Sequence, residues 1–273
     1  MTIAVAVRTG SAVVFAADSK ITTSGIIGIE EDGSPRWVEQ TYDNAVKVIN
    51  DRSKTSMALI AGEANIGQEP AMDFIITRDL GPIGSTGDQE KEISALVDMM
   101  VQQKQGYWAT TKVEPESWPG PTILLAVPSS QGNFPRIWRI DLRGAKAETA
   151  EILTRPGIYL VGSYNEVFGL LYGYHPEVLE GVADQSAIEK EKIWEAVNKL
   201  KVLRPVDKLS LWSIPIQDAI DLAVFLAKVQ VEMDRFLPGQ PVCGGPIDVM
   251  VLQTVPERAI LSYPGKQLHH PIS

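Results

Sequence analysis

The order in which strand-like and helix-like segments follow one another constrains this chain most. Two apolar runs of strand length, Ile3–Arg8 and Ala12–Ala17, flank the turn signal Thr9-Gly10-Ser11, so a β-hairpin is expected from the first residues. Residues 26–44 are polar and turn-rich and read as a loop or an extended hairpin. Val46–Ile49 and Ser56–Ala61 form a second strand pair around Asp51-Arg52-Ser53. Ile93, Leu96, Val97 and Met100 then recur with the period of a helix face, and Gly106 is the expected stop. Strands return at Thr122–Val127, Arg136–Ile140 and Ile158–Val161, divided by Ser129-Ser130-Gln131-Gly132 and by a charged turn near Arg143-Gly144. A second helical block covers about 186–236. In it Ser186 and Glu189 spell a capping box, and Ile193, Val197 and Leu200 share one face. Ile216, Ala219, Ile220, Ala223, Val224 and Ala227 form a further stripe, and Ile247–Leu252 and Ala259–Ser262 close the chain as strands.

Strands, helices, strands, helices, strands: segregated blocks argue for an α+β fold rather than a doubly wound parallel sheet. Two antiparallel sheets packed face to face between outer helical layers, a four-layer αββα sandwich, accommodate that order. No solenoid-period repeat and no inter-domain linker is visible, so residues 1–273 read as one domain.

Composition removes several function classes. Lys and Arg number 25 against 34 Asp and Glu, a net charge of −9, and no basic stripe occurs, so nucleic-acid binding has little electrostatic support. The three histidines are His175, His269 and His270; this nearly removes His-based zinc sites and Ser-His-Asp catalysis. A single cysteine, Cys243, rules out an intrachain disulfide framework and fits a reducing compartment. With no His partner, and beside two glycines, it reads as a small buried residue and not as a nucleophile. The first residues lack the pattern of a signal peptide, and no run approaches the ~18 apolar residues of a membrane span. The chain therefore reads as soluble and cytoplasmic.

Chemistry concentrates at the N-terminus. With Met1 removed, Thr2 presents a hydroxyl and a free α-amine on one residue. An α-amine has a pKa of roughly 8, low enough to accept the hydroxyl proton at neutral pH, so Thr2 can be nucleophile and base together. Thr is small enough for the usual trimming of an initiator Met. Asp18 ends the second strand in AADSK (Ala16–Lys20), Lys47 opens another strand in Lys47-Val48, and Gly62 closes a third in Ala61-Gly62. Taken singly, Asp18 also reads as a turn cap and Lys47 as a solvated strand-end charge.

The collinear set resembles the proteasome β subunits and the bacterial HslV peptidase: Thr2, Ala16–Lys20, Thr22 with Gly25, Lys47-Val48, Ala61-Gly62, Gly162-Ser163 and Cys243-Gly244-Gly245. The late glycine segment is similar to the bacterial Anbu branch as well. The resemblance implies an N-terminal-nucleophile (Ntn) hydrolase fold and threonine-type endopeptidase activity with no cofactor or metal. It implies roles too: Thr2 as nucleophile, Lys47 lowering its hydroxyl pKa, Asp18 holding Lys47, Gly62 N–H as oxyanion donor, Ser163 orienting the α-amine. Thr22 would bind substrate backbone, with Ile21, Ala45, Ile60 and Ala64 around the side chain of the cleaved residue. Expected partners are further copies of the chain in a homo-oligomeric ring or stacked rings, a peptide or unfolded-protein substrate, and a separate ATPase unfoldase, since no phosphate-binding loop is present. No nucleic acid or membrane partner is implied.

The sequence also departs from that family. The stretch between Asp18 and Lys47 is longer than usual, so residues 26–44 are expected as an insertion, and the charged helical segment 176–210 reads as a second one. Gln240 stands where the family has an acidic residue, and Cys243 where it has Ser. Glu30, Glu31 and Asp32 in the first insertion could lend the pocket a negative charge. Two other readings stay open: an Ntn amidohydrolase acting on small amides, and an inactive scaffold of the same fold, which retention of Met1 would favour.

Overall fold

In the computed structural model every residue of β1 (Ile3–Arg8) and β2 (Ala12–Asp18) is buried, which accounts for the unbroken apolar runs Ile3–Val7 and Ala12–Ala17 before their charged last residues. The structure describes residues 2–29, 35–78, 80, 88–111, 120–129, 134–144, 147–186, 188–199, 205–253 and 260–263. Met1, Glu30, Glu31, Asp32, Leu200, Ala259, His269 and His270 lie outside them. The fold is mixed α/β, with antiparallel sheets and six α-helices among the described residues.

A strand buried on both faces splits its side chains between two cores, because neighbours point to opposite sides of the sheet. Ile3, Val5, Val7, Ala12, Val14 and Ala16 join the cluster beneath the helix Ile216–Asp234, while Ala4, Ala6, Val13, Phe15 and Ala17 face the other sheet. The second sheet divides in the same way. In β6 (Met57–Gly62) and β9 (Pro121–Val127), Met57, Leu59, Ala61, Leu124 and Ala126 enter the cluster between the sheets. Ala58, Ile60, Ile123, Leu125 and Val127 enter a third cluster with Ile93, Leu96, Val97 and Met100. Fully burying one such Val, Leu or Ile side chain is worth about 1.5–3 kcal/mol.

The first sheet runs β12 (Gly157–Gly162), β1, β2, β13 (Ile247–Gln253), β14 (Ile260–Tyr263). The second runs β11 (Glu148–Ile152), β10 (Arg136–Asp141), β9, β6, β5 (Val48–Asn50), and the pairings in both are antiparallel. The extended hairpin expected over 26–44 is observed with other bounds, over 21–42. There β3 (Ile21–Ile29) pairs with β4 (Pro35–Tyr42) in register from Ile21↔Tyr42. The hairpin between β1 and β2 is fixed by Thr9, whose Oγ1 accepts the N–H groups of Ser11 and Ala12 at 3.1 and 2.9 Å. A two-stranded ribbon, β7 (Asn65–Ile66) with β8 (Glu69–Pro70), leads into α1 (Ala71–Ile76).

Several boundaries differ from the sequence reading. The helix containing Ile93–Met100 is α2 (Gln89–Thr111), and Gly106 sits inside it. An exposed glycine in a helix costs only about 1 kcal/mol, too little to end a helix that packs Gln103 and Tyr107, on either side of Gly106, against Gly67. The second helical block starts earlier, with α3 (Asn165–Tyr172) and α4 (Pro176–Ser186), before α5 (Lys190–Lys199), a 3-10 turn at Pro205–Lys208 and α6 (Ile216–Asp234). The capping box does not form: Ser186 ends α4, and its hydroxyl donates back to the Val182 carbonyl at 2.6 Å. Strand β11 carries no apolar alternation, because Glu148, Thr149 and Ala150 are exposed at the sheet edge.

Candidate functional site

Thr2 enters the site because β1 begins at Ile3 and pairs with the end of β12 in the register Ile3↔Gly162. Its carbonyl accepts the Ser163 N–H at 2.7 Å. Gly162 has φ +87°, and a Cβ there would lie 1.8 Å from the Thr2 carbonyl oxygen, so only glycine allows this approach. The link between Ser163 and Thr2 thus runs through backbone. Thr2 itself is buried.

Asp18 ends β2 with no exposure. Its Oδ1 accepts Lys47 Nζ at 2.8 Å and Ile3 N–H at 3.1 Å; its Oδ2 accepts Gly244 N–H at 2.9 Å and Lys20 N–H at 3.3 Å. Burial pushes the Asp18 carboxyl above its ordinary range, opposed by the Lys47 charge and these hydrogen bonds. Lys47 leads into β5 and is itself buried, tied to β6 by Ile60 N–H donating to its carbonyl at 2.9 Å. Exchanging a buried ion pair for apolar groups is often neutral or stabilising, so a buried pair is weak evidence of a stability role and points towards use.

Thr2 and Lys47 open onto one cleft. A cavity of about 190 Å³ is lined by Thr2, Ile21, Thr22, Ala45, Lys47, Ile60, Gly62 and Ala64 among others. Thr2, Lys47, Gly62 and the four apolar positions named from the sequence therefore share one space, with Asp18 directly behind Lys47. Gly62, exposed at the end of β6, has φ +86°, a conformation that strains any other residue.

Sequence reading missed part of this lining. Lys20, Glu63, Asn65, Pro70 and Met72 face the same cavity, so it is less uniformly apolar than the four flanking positions imply. Glu63 follows Gly62 directly, and its Oε1 accepts Ala64 N–H at 3.1 Å. Its adjacency to the glycine was the available signal. Glu30, Glu31 and Asp32 lie outside the described residues.

The Cys243-Gly244-Gly245 segment braces the site. Gly244 donates to Asp18 and its carbonyl accepts Ser19 N–H at 3.1 Å. Cys243 N–H donates to buried Asp234 Oδ2 at 2.8 Å, and Gln230 Nε2 donates to Asp234 Oδ1 at 3.0 Å. An acidic group thus does support this segment, but it comes from α6, while Gln240 is exposed. The Cys243 thiol is buried, and burial with the nearby Asp18 and Asp234 charges raises its pKa far above the ordinary value, so it is inert as a nucleophile. Among the described residues no group of three His, Cys, Asp or Glu is placed to hold a metal ion, and no helix is long and apolar enough to cross a membrane.

Neither a scan of family models nor a search of curated proteins finds a match to this chain. Among solved structures it is similar to the Gly-1 mutant of Anbu from Hyphomicrobium sp. strain MC1. That similarity has 14% identity and a TM-score of 0.48, covering 96% of this chain and 87% of that one.

Proposed function

We propose that this chain is a threonine-type endopeptidase of the proteasome-β-like Ntn-hydrolase family, cutting peptide bonds with Thr2 after loss of Met1. The observation that carries this is a single cleft holding Thr2 and Lys47, with the Lys47 ammonium fixed 2.8 Å from a fully buried Asp18. A fixed cation beside a threonine hydroxyl favours the alkoxide and the negative charge that grows in the transition state. The freed α-amine of Thr2 takes the hydroxyl proton and returns it to the leaving amine. Gly62 N–H donates to the oxyanion, a contribution typically worth about 3 kcal/mol. Ser163 holds Thr2 in place, and Asp18 holds Lys47. The three apolar clusters support a four-layer αββα sandwich, and residues 1–273 are read as one domain with insertions at 26–44 and 176–210.

Substrate backbone adds beside β3 at Thr22, whose strand pairs with β4 on one side among the described residues. Ile21, Ala45, Ile60 and Ala64 surround the side chain preceding the scissile bond. A charged side chain there loses water, whereas an apolar one gains about 1.5–3 kcal/mol on full burial. Cleavage after a medium apolar residue should therefore exceed cleavage after Arg or Asp by about tenfold or more. A fluorogenic panel ending in Leu, Tyr, Arg and Asp reads this; fastest cleavage after Arg would instead assign a selecting role to Glu63 or to Glu30, Glu31 or Asp32.

The functional chain is a cytoplasmic homo-oligomer in one or two closed rings, fed with unfolded protein by a separate ATPase. Sedimentation should show a large closed assembly at micromolar concentration; a monomer would favour a small-amide hydrolase. The reaction itself is tested with a threonine-directed epoxyketone or β-lactone followed by mass mapping. Adduct on Thr2 is the expected result, and adduct elsewhere or none overturns the assignment.

A further inference from the structure

A second cleft, of about 650 Å³, meets the first at Gly62 and Glu63 and extends away from it between β12 and the ends of β9 and β10. Arg139, Arg143, Tyr159 and Tyr164 line it. The two arginines are held by one carboxylate, Asp141, which also borders the cleft. Arg139 Nη2 donates to Asp141 Oδ2 at 2.7 Å, and Arg143 donates through Nε to Oδ1 at 2.9 Å and through Nη2 to Oδ2 at 2.6 Å. Asp141 is buried, and although burial pushes its carboxyl up, the bonds from Arg143 and Arg139 prevail and hold it at about 2. It stays ionised at any working pH, so the arginines are fixed. Buried Lys104 braces the turn, its Nζ donating to the Leu142 and Gly144 carbonyls on either side of Arg143, and burial lowers its pKa to about 8.

Each guanidinium has five N–H donors in a rigid fork, and Asp141 takes one from Arg139 and two from Arg143. Arg143 has a side-chain exposure of 63% and Arg139 of 32%, so both retain donors towards the open cleft. The opposing charges are Glu63 on the shared lip and Glu148, which acts on Arg143. The cations lining the cleft are Arg139 and Arg143, and its lining carboxylates are Asp141 and Glu63, so recognition here rests on the guanidinium N–H groups that Asp141 leaves open and not on net charge.

We propose that this second cleft receives the part of the substrate that follows the scissile bond, and that Arg139 and Arg143 select there for a carboxylate. The assignment of direction rests on the Thr2 reading: with the acyl side in the first cleft, the departing chain leaves past Gly62 into the second. The carboxylate is either an acidic side chain or the substrate's own C-terminus.

Two measurements test this separately from the chemistry. In the first, Thr2→Ala protein is titrated by ligand-observed NMR with Ala-Asp-Ala-Ala amide, Ala-Asn-Ala-Ala amide and Ala-Asn-Ala-Ala with a free C-terminus. A carboxylate should tighten binding about fivefold over the neutral amide at low salt, and raised salt should erode the gain. Adding Arg143→Ala should bring the ratio to near one, and Arg143→Lys should restore part of it. Tightening by Asp alone assigns the site to acidic side chains; tightening by the free terminus alone assigns it to chain ends. Equal binding of all three peptides, or a preference that survives Arg143→Ala, overturns the proposal. In the second, the wild type is given longer peptides differing only in Asp or Asn after the scissile bond. Cleavage with no preference overturns the selective cleft and leaves Thr2 standing; absence of cleavage with selective binding overturns Thr2 and leaves the carboxylate site.

Discussion

Thr2→Ala is expected to lower peptide hydrolysis to below about one part in 10⁴ of the wild-type rate while the protein folds normally. The substitution removes one hydroxyl and one methyl. The backbone contacts that seat the residue, Ser163 N–H on the Thr2 carbonyl and the Ile3↔Gly162 register, do not involve the side chain. The stability loss should stay near 1 kcal/mol, within reach of a single melting curve. Thr2→Ser keeps hydroxyl and amine and should retain measurable turnover. Competence also requires the free amine, so intact mass must show loss of Met1. A Thr2→Ala protein that cuts peptides at the wild-type rate would remove the nucleophile assignment outright.

The central strands were legible because burial on both faces leaves a simple trace, an unbroken apolar run such as Ile3–Val7 or Ile123–Val127. Which residue faced which core was not, since that depends on what each face meets. The edge strand β11 was invisible for the opposite reason: Glu148, Thr149 and Ala150 are exposed, and its pairing with β10 rests on backbone hydrogen bonds that any composition can make. Ser186 and Glu189 had the spelling of a helix start, but the hydroxyl found the Val182 carbonyl one turn back.

The cleft was readable where its residues sit at strand ends, since Asp18, Lys47 and Gly62 each close or open an apolar run. The support behind them was not. Gly244 reaches Asp18 because β13 pairs with β2 in the register Ile247↔Asp18, a contact between distant parts of the chain that no local pattern announces. Asp234 likewise lies six positions before Gln240, where the resemblance implies an acidic residue, yet a helix C-terminal turn carries it to the Cys243 N–H. Of the second cleft's arginines, Arg139 reads as one residue of the strand Arg136–Ile140 and Arg143 as part of an ordinary charged turn, because the burial of Asp141, which fixes them, belongs to the packed sheet and not to the sequence.

Lys47→Ala should reduce kcat/KM by at least about 10³, because the ammonium acts mostly on charge that develops in the transition state. The argument turns on Asp18. With Lys47 present, its carboxylate has four donors and the ion pair is complete. Without Lys47, the burial that already raises the Asp18 pKa meets less opposition, and the carboxyl shifts further towards its protonated form. Some stability is therefore lost as well, and rates are compared at equal folded fraction by circular dichroism. Lys47→Arg separates the two effects: it keeps the charge and can still bond Asp18, so the protein should fold. Its planar, bulkier guanidinium cannot place a compact charge beside the Thr2 hydroxyl, so activity should fall nearly as far as in Lys47→Ala. A folded Lys47→Ala protein with more than about a tenth of wild-type turnover would make Lys47 a structural residue. The cation at the hydroxyl would then have to be Lys20, the other lysine lining the cleft among the described residues.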